Sequence, residues 1–372
     1  MKINLFFFIS DFNYGGASNS IFNFLKNLDS KKFRLFMIFI GKSDYKNLLP
    51  KNINIINIKK DNRKFSTIRS FFKIKKIIIN ETKKNSKNVF ISNIHYANII
   101  SIYFLNKILN LKLVVFERTS IKELDFFFSI SSFIKNKVVK FLLKIMYKKA
   151  DLILTNSKIV SKELLSKGLF SKVIYSATLK KILPKKKFKK KSIFNIIAVG
   201  RLTLQKDYLT ILKSINEIKK NNFKLKIYGD GYLKKDLESY IKFNNLNKKI
   251  EILGHEKNKK KIYANADLLI HAAIFEGLPN CLVEAINYSV PIIASKGAGG
   301  TTEVLQNGAY GSLFNPRDYK ELTYKINDFL KNPTKLQQKI QKGRNKLTKF
   351  TITNTTNRLE KIIYQLFSSN KI

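Results

Sequence analysis

The chain has 372 residues, the length of two ordinary domains, and its 44% hydrophobic content suffices for two buried cores and excludes wholesale disorder. Cys281 is its one cysteine, which excludes an intrachain disulfide framework and fits a reducing compartment. A formal charge of +46 draws phosphates, anionic lipid or nucleic acid, but lysine, asparagine, isoleucine and phenylalanine crowd every segment, so charge alone names no function.

The apolar run at 2–9 resembles a leader peptide for a few residues; Asp11 follows at once and no small-residue cleavage site appears, so the run reads as a buried strand. Further strand-type runs at 33–40, 53–58, 89–92, 113–117, 152–155 and 172–175 alternate with longer helical patterns. Residues 88–106 carry no charge and approach spanning length, but Ser92, Asn93, His95, Asn98 and Ser101 argue against a transmembrane helix. Over 125–149, residues such as Phe126, Phe127, Phe128, Ile134, Val138 and Phe141 mix with Lys135, Lys137, Lys140 and Lys144. That pattern predicts an amphipathic helix with two open fates, an apolar stripe in the core or one lying on an anionic membrane.

Lysines crowd 181–191 around Pro184, and self-repelling charge makes this stretch a basic linker. A second strand series follows at 195–199, 225–228, 250–253, 267–271, 291–294 and 312–314. The expected architecture is therefore α/β, with two Rossmann-like doubly wound domains at 1–180 and 192–350. No repeat of solenoid spacing is visible.

Three places carry chemistry. The first strand runs into Asp11-Phe12-Asn13-Tyr14-Gly15-Gly16 and then a helix, a turn that admits either a ligand close to the backbone or nothing more than a tight bend. The second domain opens with a strand followed by Gly200-Arg201-Leu202 and Lys206, two cations suited to gripping a diphosphate. Between two later strands lies His271 to Ala285, where Glu276 and Glu284 stand eight residues apart, one in the strand-end loop and one in the next helix. Carboxylates so placed can accept from sugar or ribose hydroxyls.

With Gly229-Asp230-Gly231, Glu276-Gly277-Leu278-Pro279, Glu284-Ala285 and Gly299-Gly300 followed by Glu303, these motifs occur in an order that resembles the retaining glycosyltransferases of family 4, glycosyl transferases group 1, with the GT-B fold and its interdomain cleft. The resemblance implies a UDP- or GDP-linked sugar donor, with Arg201 and Lys206 on the diphosphate, Glu276 beside the transferred sugar and Glu284 on the ribose. It also implies donor contacts from Gly15, Gly16, Gly229, Gly277, Leu278, Pro279 and Asn280, no metal or other cofactor, and a helix at 351–372 returning to the first domain. The acceptor it implies is a glycan, and a lipid-linked one in surface polysaccharide synthesis suits a basic chain peripheral to the inner face of the cytoplasmic membrane. Relatives often carry a histidine after a first-domain strand; here Glu117-Arg118 stands there and His95 sits earlier, so each is a candidate sugar or acceptor contact, against a structural histidine and a surface ion pair. A nucleotide-sugar epimerase of related fold and a polyanion-binding protein without enzymatic activity are the alternatives; no nucleic-acid recognition module is legible.

Overall fold

All six side chains of Ile3–Phe8 (β1) are buried, as befits a parallel strand covered by helices on both faces. The computed structural model describes residues 2–59, 66–127, 130–186, 188, 191–220 and 222–368. It comprises two units, Met1–Lys180 with Phe350–Ile372, and Lys181–Lys349.

In the first unit β1 is joined by Phe33–Ile40 (β2), Asn54–Ile58 (β3), Asn88–Asn93 (β4), Leu111–Glu117 (β5), Leu152–Thr155 (β6) and Lys172–Val173 (β7). The strands pair in parallel in the order β3-β2-β1-β4-β5-β6-β7. Alternation along β1 sends Leu5 and Phe7 into one core, beside Ile21, Phe24 and Leu25 of Gly16–Asn27 (α1). Phe6 and Phe8 enter the other core, built with Ser66–Lys84 (α2), His95–Leu105 (α3) and Ile130–Met146 (α4). Lys158–Leu165 (α5) connects the last two strands. A buried asparagine pair pins the β1–β4 register: Asn4 stands opposite Asn88 and donates to its side-chain oxygen at 2.8 Å. The charge-free run at 88–106 is thus a strand and a helix, and among the described residues no helix is long and apolar enough to cross a membrane.

The second unit repeats the plan. Phe194–Val199 (β8), Tyr208–Asn216 (α6), Phe223–Tyr228 (β9), Lys234–Phe243 (α7), Ile250–Gly254 (β10), Lys259–Tyr263 (α8) and Leu268–His271 (β11) come first. Phe275–Glu276 (β12), Asn280–Asn287 (α9), Ile292–Ser295 (β13), Ala298–Gly299 (β14), Thr301–Val304 (α10), Ser312–Phe314 (β15), Tyr319–Lys331 (α11) and Thr334–Gly343 (α12) complete it. Its six-stranded sheet runs β10-β9-β8-β11-β13-β15, with β12 and β14 forming a separate parallel pair. In both units the strand order reverses once, between β1 and β4 and between β8 and β11, and ligands of open α/β sheets bind outside the strand ends at such reversals.

Residues 181–191, expected to be a basic linker, fall within the second unit, where two of their lysines find acceptors. Lys186 donates to the carbonyls of Ala264 and Ala266, each at 3.0 Å, and Lys191 pairs with Asp267 at 2.7 Å. Arg344 holds the carbonyls of Leu183 and Asn287. Lys187, Lys189 and Lys190 lie outside the described residues, as does Phe128 of the phenylalanine run. After α12 the chain rejoins the first unit, where Ile352–Gln365 (α13) packs Leu359, Ile362 and Ile363 into the α1 core and Glu360 accepts from the Asp29 amide at 3.2 Å.

Candidate functional site

The turn after β8 and the loop after β11 are tied together by backbone. The Ile274 amide donates to the Gln205 carbonyl and the Gln205 side chain donates to the Phe275 carbonyl, both at 2.9 Å. Asp207, in the left-handed region at φ 48°, then turns the chain into α6. These ties set Lys206 against Glu276: the ammonium pairs with Oε1 of the carboxylate, and both side chains are mostly buried. His271, at the end of β11, places Nε2 3.6 Å from the same oxygen, and its Nδ1 lies 3.6 Å from the Cys281 Sγ.

Charge in this group follows from burial and from Lys206. Burial pushes the Glu276 carboxyl up, but Lys206, with His271 and Arg201, outweighs it and holds the group below the ordinary carboxylate value. Burial and the Lys206 cation together depress His271 to about 4, so the imidazole is neutral at pH 7. Burial also pushes the Cys281 thiol up to about 12, which makes it a poor nucleophile. Arg201 is exposed on the turn after Gly200.

Glu284 lies one helix away with a different set of partners. From α9 it accepts the Tyr263 hydroxyl on Oε2 at 2.8 Å and pairs through Oε1 with Lys259 at 3.1 Å. Tyr263 is fully buried and stacks on Tyr288, ring centroids 5.4 Å apart. Neither Lys259, one of three consecutive lysines, nor Tyr263 belongs to a motif, so sequence reasoning missed both; a tyrosine one helix ahead of a motif glutamate is no usable signal. Leu278 is buried, Pro279 holds the cap position of α9 and Asn280 is its first residue.

The glycines divide by what they make room for. A Cβ on Gly229 would stand 1.8 Å from the Gly200 carbonyl oxygen, so this residue is glycine because two strand-end turns touch there. Gly300 likewise abuts Gly277, whose carbonyl accepts its amide at 2.9 Å, and β12 and β14 extend that join. The loops bearing Glu276 and Gly300 are therefore joined through backbone. In the first unit Gly15 caps α1 and Gly16 is its first residue, at the end of β1.

His95, Glu117 and Arg118 gather at the ends of β4 and β5, and all are buried, Glu117 and Arg118 included, so these two form no surface ion pair. Glu117 accepts the Tyr147 hydroxyl at 2.8 Å and the Arg118 amide at 3.1 Å, with the His95 Nδ1 3.6 Å from its Oε1. Arg118 points elsewhere: Nε donates to Asn93 at 2.6 Å, Nη1 donates to Ser20 of α1 at 3.2 Å, and the guanidinium lies 3.8 Å from the Phe116 ring centroid. Burial lowers the Arg118 pKa to about 9. For His95 burial acts downward, but Glu117 prevails and raises it. Ile94, a β-branched residue at φ 75°, supplies the strained turn that makes His95 the first residue of α3. Among the described residues no group of three or more His, Cys, Asp or Glu side chains is placed to hold a metal ion.

Residues 180–346 match the family model described as Glycosyl transferases group 1. Over 98% of this chain and 99% of its own, the Campylobacter jejuni GalNAc-alpha-(1->4)-GalNAc-alpha-(1->3)-diNAcBac-PP-undecaprenol alpha-1,4-N-acetyl-D-galactosaminyltransferase is 26% identical. A second C. jejuni protein, N-acetylgalactosamine-N,N'-diacetylbacillosaminyl-diphospho-undecaprenol 4-alpha-N-acetylgalactosaminyltransferase, is 27% identical over 82% of this chain and 84% of its own. Among solved structures, Anabaena HepE in complex with UDP and glucose superposes with a TM-score of 0.78 at 17% identity, covering 98% of this chain and all of that one.

Proposed function

We propose, from the premise that the chain is a glycosyltransferase of GT-B fold whose second unit is of group 1, that it transfers a hexose or N-acetylhexosamine, with retention, from a UDP- or GDP-sugar to a polyprenyl-diphosphate-linked glycan. The observation that carries this is the cation at the strand ends: Lys206, held against Glu276 and beside exposed Arg201. Breaking a glycosyl phosphate leaves positive charge on the sugar and negative charge on the departing diphosphate, and fixed cations lower that barrier. An ammonium has three donors, so Lys206 can keep its Glu276 contact and still hold a phosphate oxygen. These protein cations do the work that a divalent ion does in other transferases. The acceptor hydroxyl attacks from the face the diphosphate leaves, and the leaving phosphate takes its proton.

Glu276 lies beside the transferred sugar in this reading, its ionised state secured by Lys206. Glu284 uses two acceptor positions on Tyr263 and Lys259 and keeps others for ribose hydroxyls. The Gly277 to Asn280 loop contributes backbone contacts to the sugar. Gly15 and Gly16 serve the donor phosphates, while Gly229 serves the packing of its own turn. His95, Glu117 and Arg118 frame the acceptor side without an exposed ring or carboxylate of their own. Such an acceptor places the enzyme at the inner face of the cytoplasmic membrane as a peripheral protein. The named relatives support a diphospho-undecaprenol acceptor through what they act on, and no observation favours the epimerase or polyanion-binding readings.

Calorimetry with UDP and GDP, followed by a sugar-donor screen with the wild type and Lys206→Ala, tests the proposal. Saturable binding of one nucleotide and turnover that disappears in the variant are expected; equal turnover in the variant removes the diphosphate role.

A further inference from the structure

Helix α4 carries two apolar rows. Val139, Leu143 and Met146 face inward and are buried in the first-unit core, which satisfies the need of one amphipathic helix. A second row, Ile130, Ile134, Val138, Phe141 and Ile145, repeats at intervals of four, four, three and four and is 43 to 82% exposed. At about 100° per residue these five fall on one side of the helix, nearly opposite the buried row. Isolated exposed apolar residues are ordinary; a continuous row at the helical repeat marks a surface with a partner.

Charge selects the partner. Helix α4 contains no aspartate or glutamate, and Lys135, Lys137 and Lys144 are exposed along its flanks, with Lys148 and Lys149 following. A second copy packed row against row would oppose lysines to lysines, whereas anionic headgroups neutralise them while their stems run along the apolar layer. We propose that the outward row of α4 is a docking surface for anionic lipid, with the helix lying in the plane of the interface. Its inward side reaches the buried cluster: the Tyr96 hydroxyl donates to Asn136 at 3.3 Å, and Tyr147, just past α4, donates to Glu117. Docking α4 thus leaves the buried His95–Glu117 end of the sheet one helix behind the headgroup layer, on the side of the acceptor proposed above, and in that last respect the inference rests on that proposal.

The test is flotation of the full chain with vesicles of phosphatidylcholine alone and with phosphatidylglycerol, in low and high salt, alongside sedimentation equilibrium without vesicles. Wild type is expected to float with the anionic vesicles. The double variant Ile134→Ser with Phe141→Ser should lose about tenfold or more in partitioning. Lys137→Gln and Lys144→Gln should each lose about fivefold, on anionic vesicles only. Absence of wild-type flotation, equal flotation of the serine variant, or a dimer that Phe141→Ser dissolves overturns the proposal. Donor hydrolysis in solution should be the same in all five proteins; its absence from the wild type defeats the catalytic reading and leaves the vesicle result intact.

Discussion

Each unit holds a buried histidine 3.6 Å from a glutamate at its sheet's strand ends, and the two titrate in opposite directions. His95 is raised and His271 is depressed to about 4. Burial is shared, so the carboxylate's other partner makes the difference. Glu276 already faces the Lys206 ammonium, which neutralises it and repels an imidazolium. Glu117 takes neutral donors, the Tyr147 hydroxyl and the Arg118 amide, while the Arg118 guanidinium turns to Asn93 and Ser20. Glu276 thus sits in contact with a cation, whereas Glu117 is held by neutral donors.

The most severe break of this contrast is Lys206→Ala. Transfer should fall about a thousandfold or more, and the His271 titration, followed by NMR, should move upward from about 4. A titration that stays near 4 assigns the depression to burial alone. Next comes Glu117→Gln, which removes the carboxylate from a buried network and leaves His95 without its raising partner. Urea unfolding should report a loss of about 2–3 kcal/mol.

pH separates the histidines more finely. A histidine whose folded pKa is depressed stabilises fully above the unfolded value, and that stability is lost as pH falls from about 6.5 toward 4. His271→Asn should therefore flatten the acid side of a profile of unfolding free energy against pH, from urea unfolding, by about 3 kcal/mol. His95, raised, contributes in the opposite sense: its stability is complete below the ordinary histidine value and is lost as pH rises through the folded one. The smallest effect belongs to Tyr263→Phe, which frees one Glu284 oxygen. Donor KM should rise about fivefold with kcat unchanged, the equivalent of about 1 kcal/mol. An unaltered KM would detach Tyr263 from donor binding.

Much of the architecture was legible in the apolar runs: the six expected strands of the second sheet overlap β8, β9, β10, β11, β13 and β15, and the seven of the first overlap β1 to β7. The two-residue strands β12 and β14 were not, because a pair that short has no period to detect. The stretch 181–191 read as a basic linker, but Lys186 and Lys191 meet acceptors at Ala264, Ala266 and Asp267, more than 70 residues away in the chain. The phenylalanine-rich helix left two fates open, and the structure shows the core stripe, Val139, Leu143 and Met146, together with a second apolar row that stays exposed.

Patterning along the chain was enough to specify two doubly wound layers, to bring Arg201, Lys206 and Glu276 to the loops after strands and to set Glu284 in the next helix, because strand and helix periods depend on near neighbours. Which group faces which was a matter of folding: the pairing of Lys206 with Glu276, Tyr263 beneath Glu284, and Arg118 turned away from Glu117 arise from contacts between distant segments. Burial and Coulomb interactions reach only a few ångströms with strength, so the charge of His95 and of His271 became fixed when those segments met.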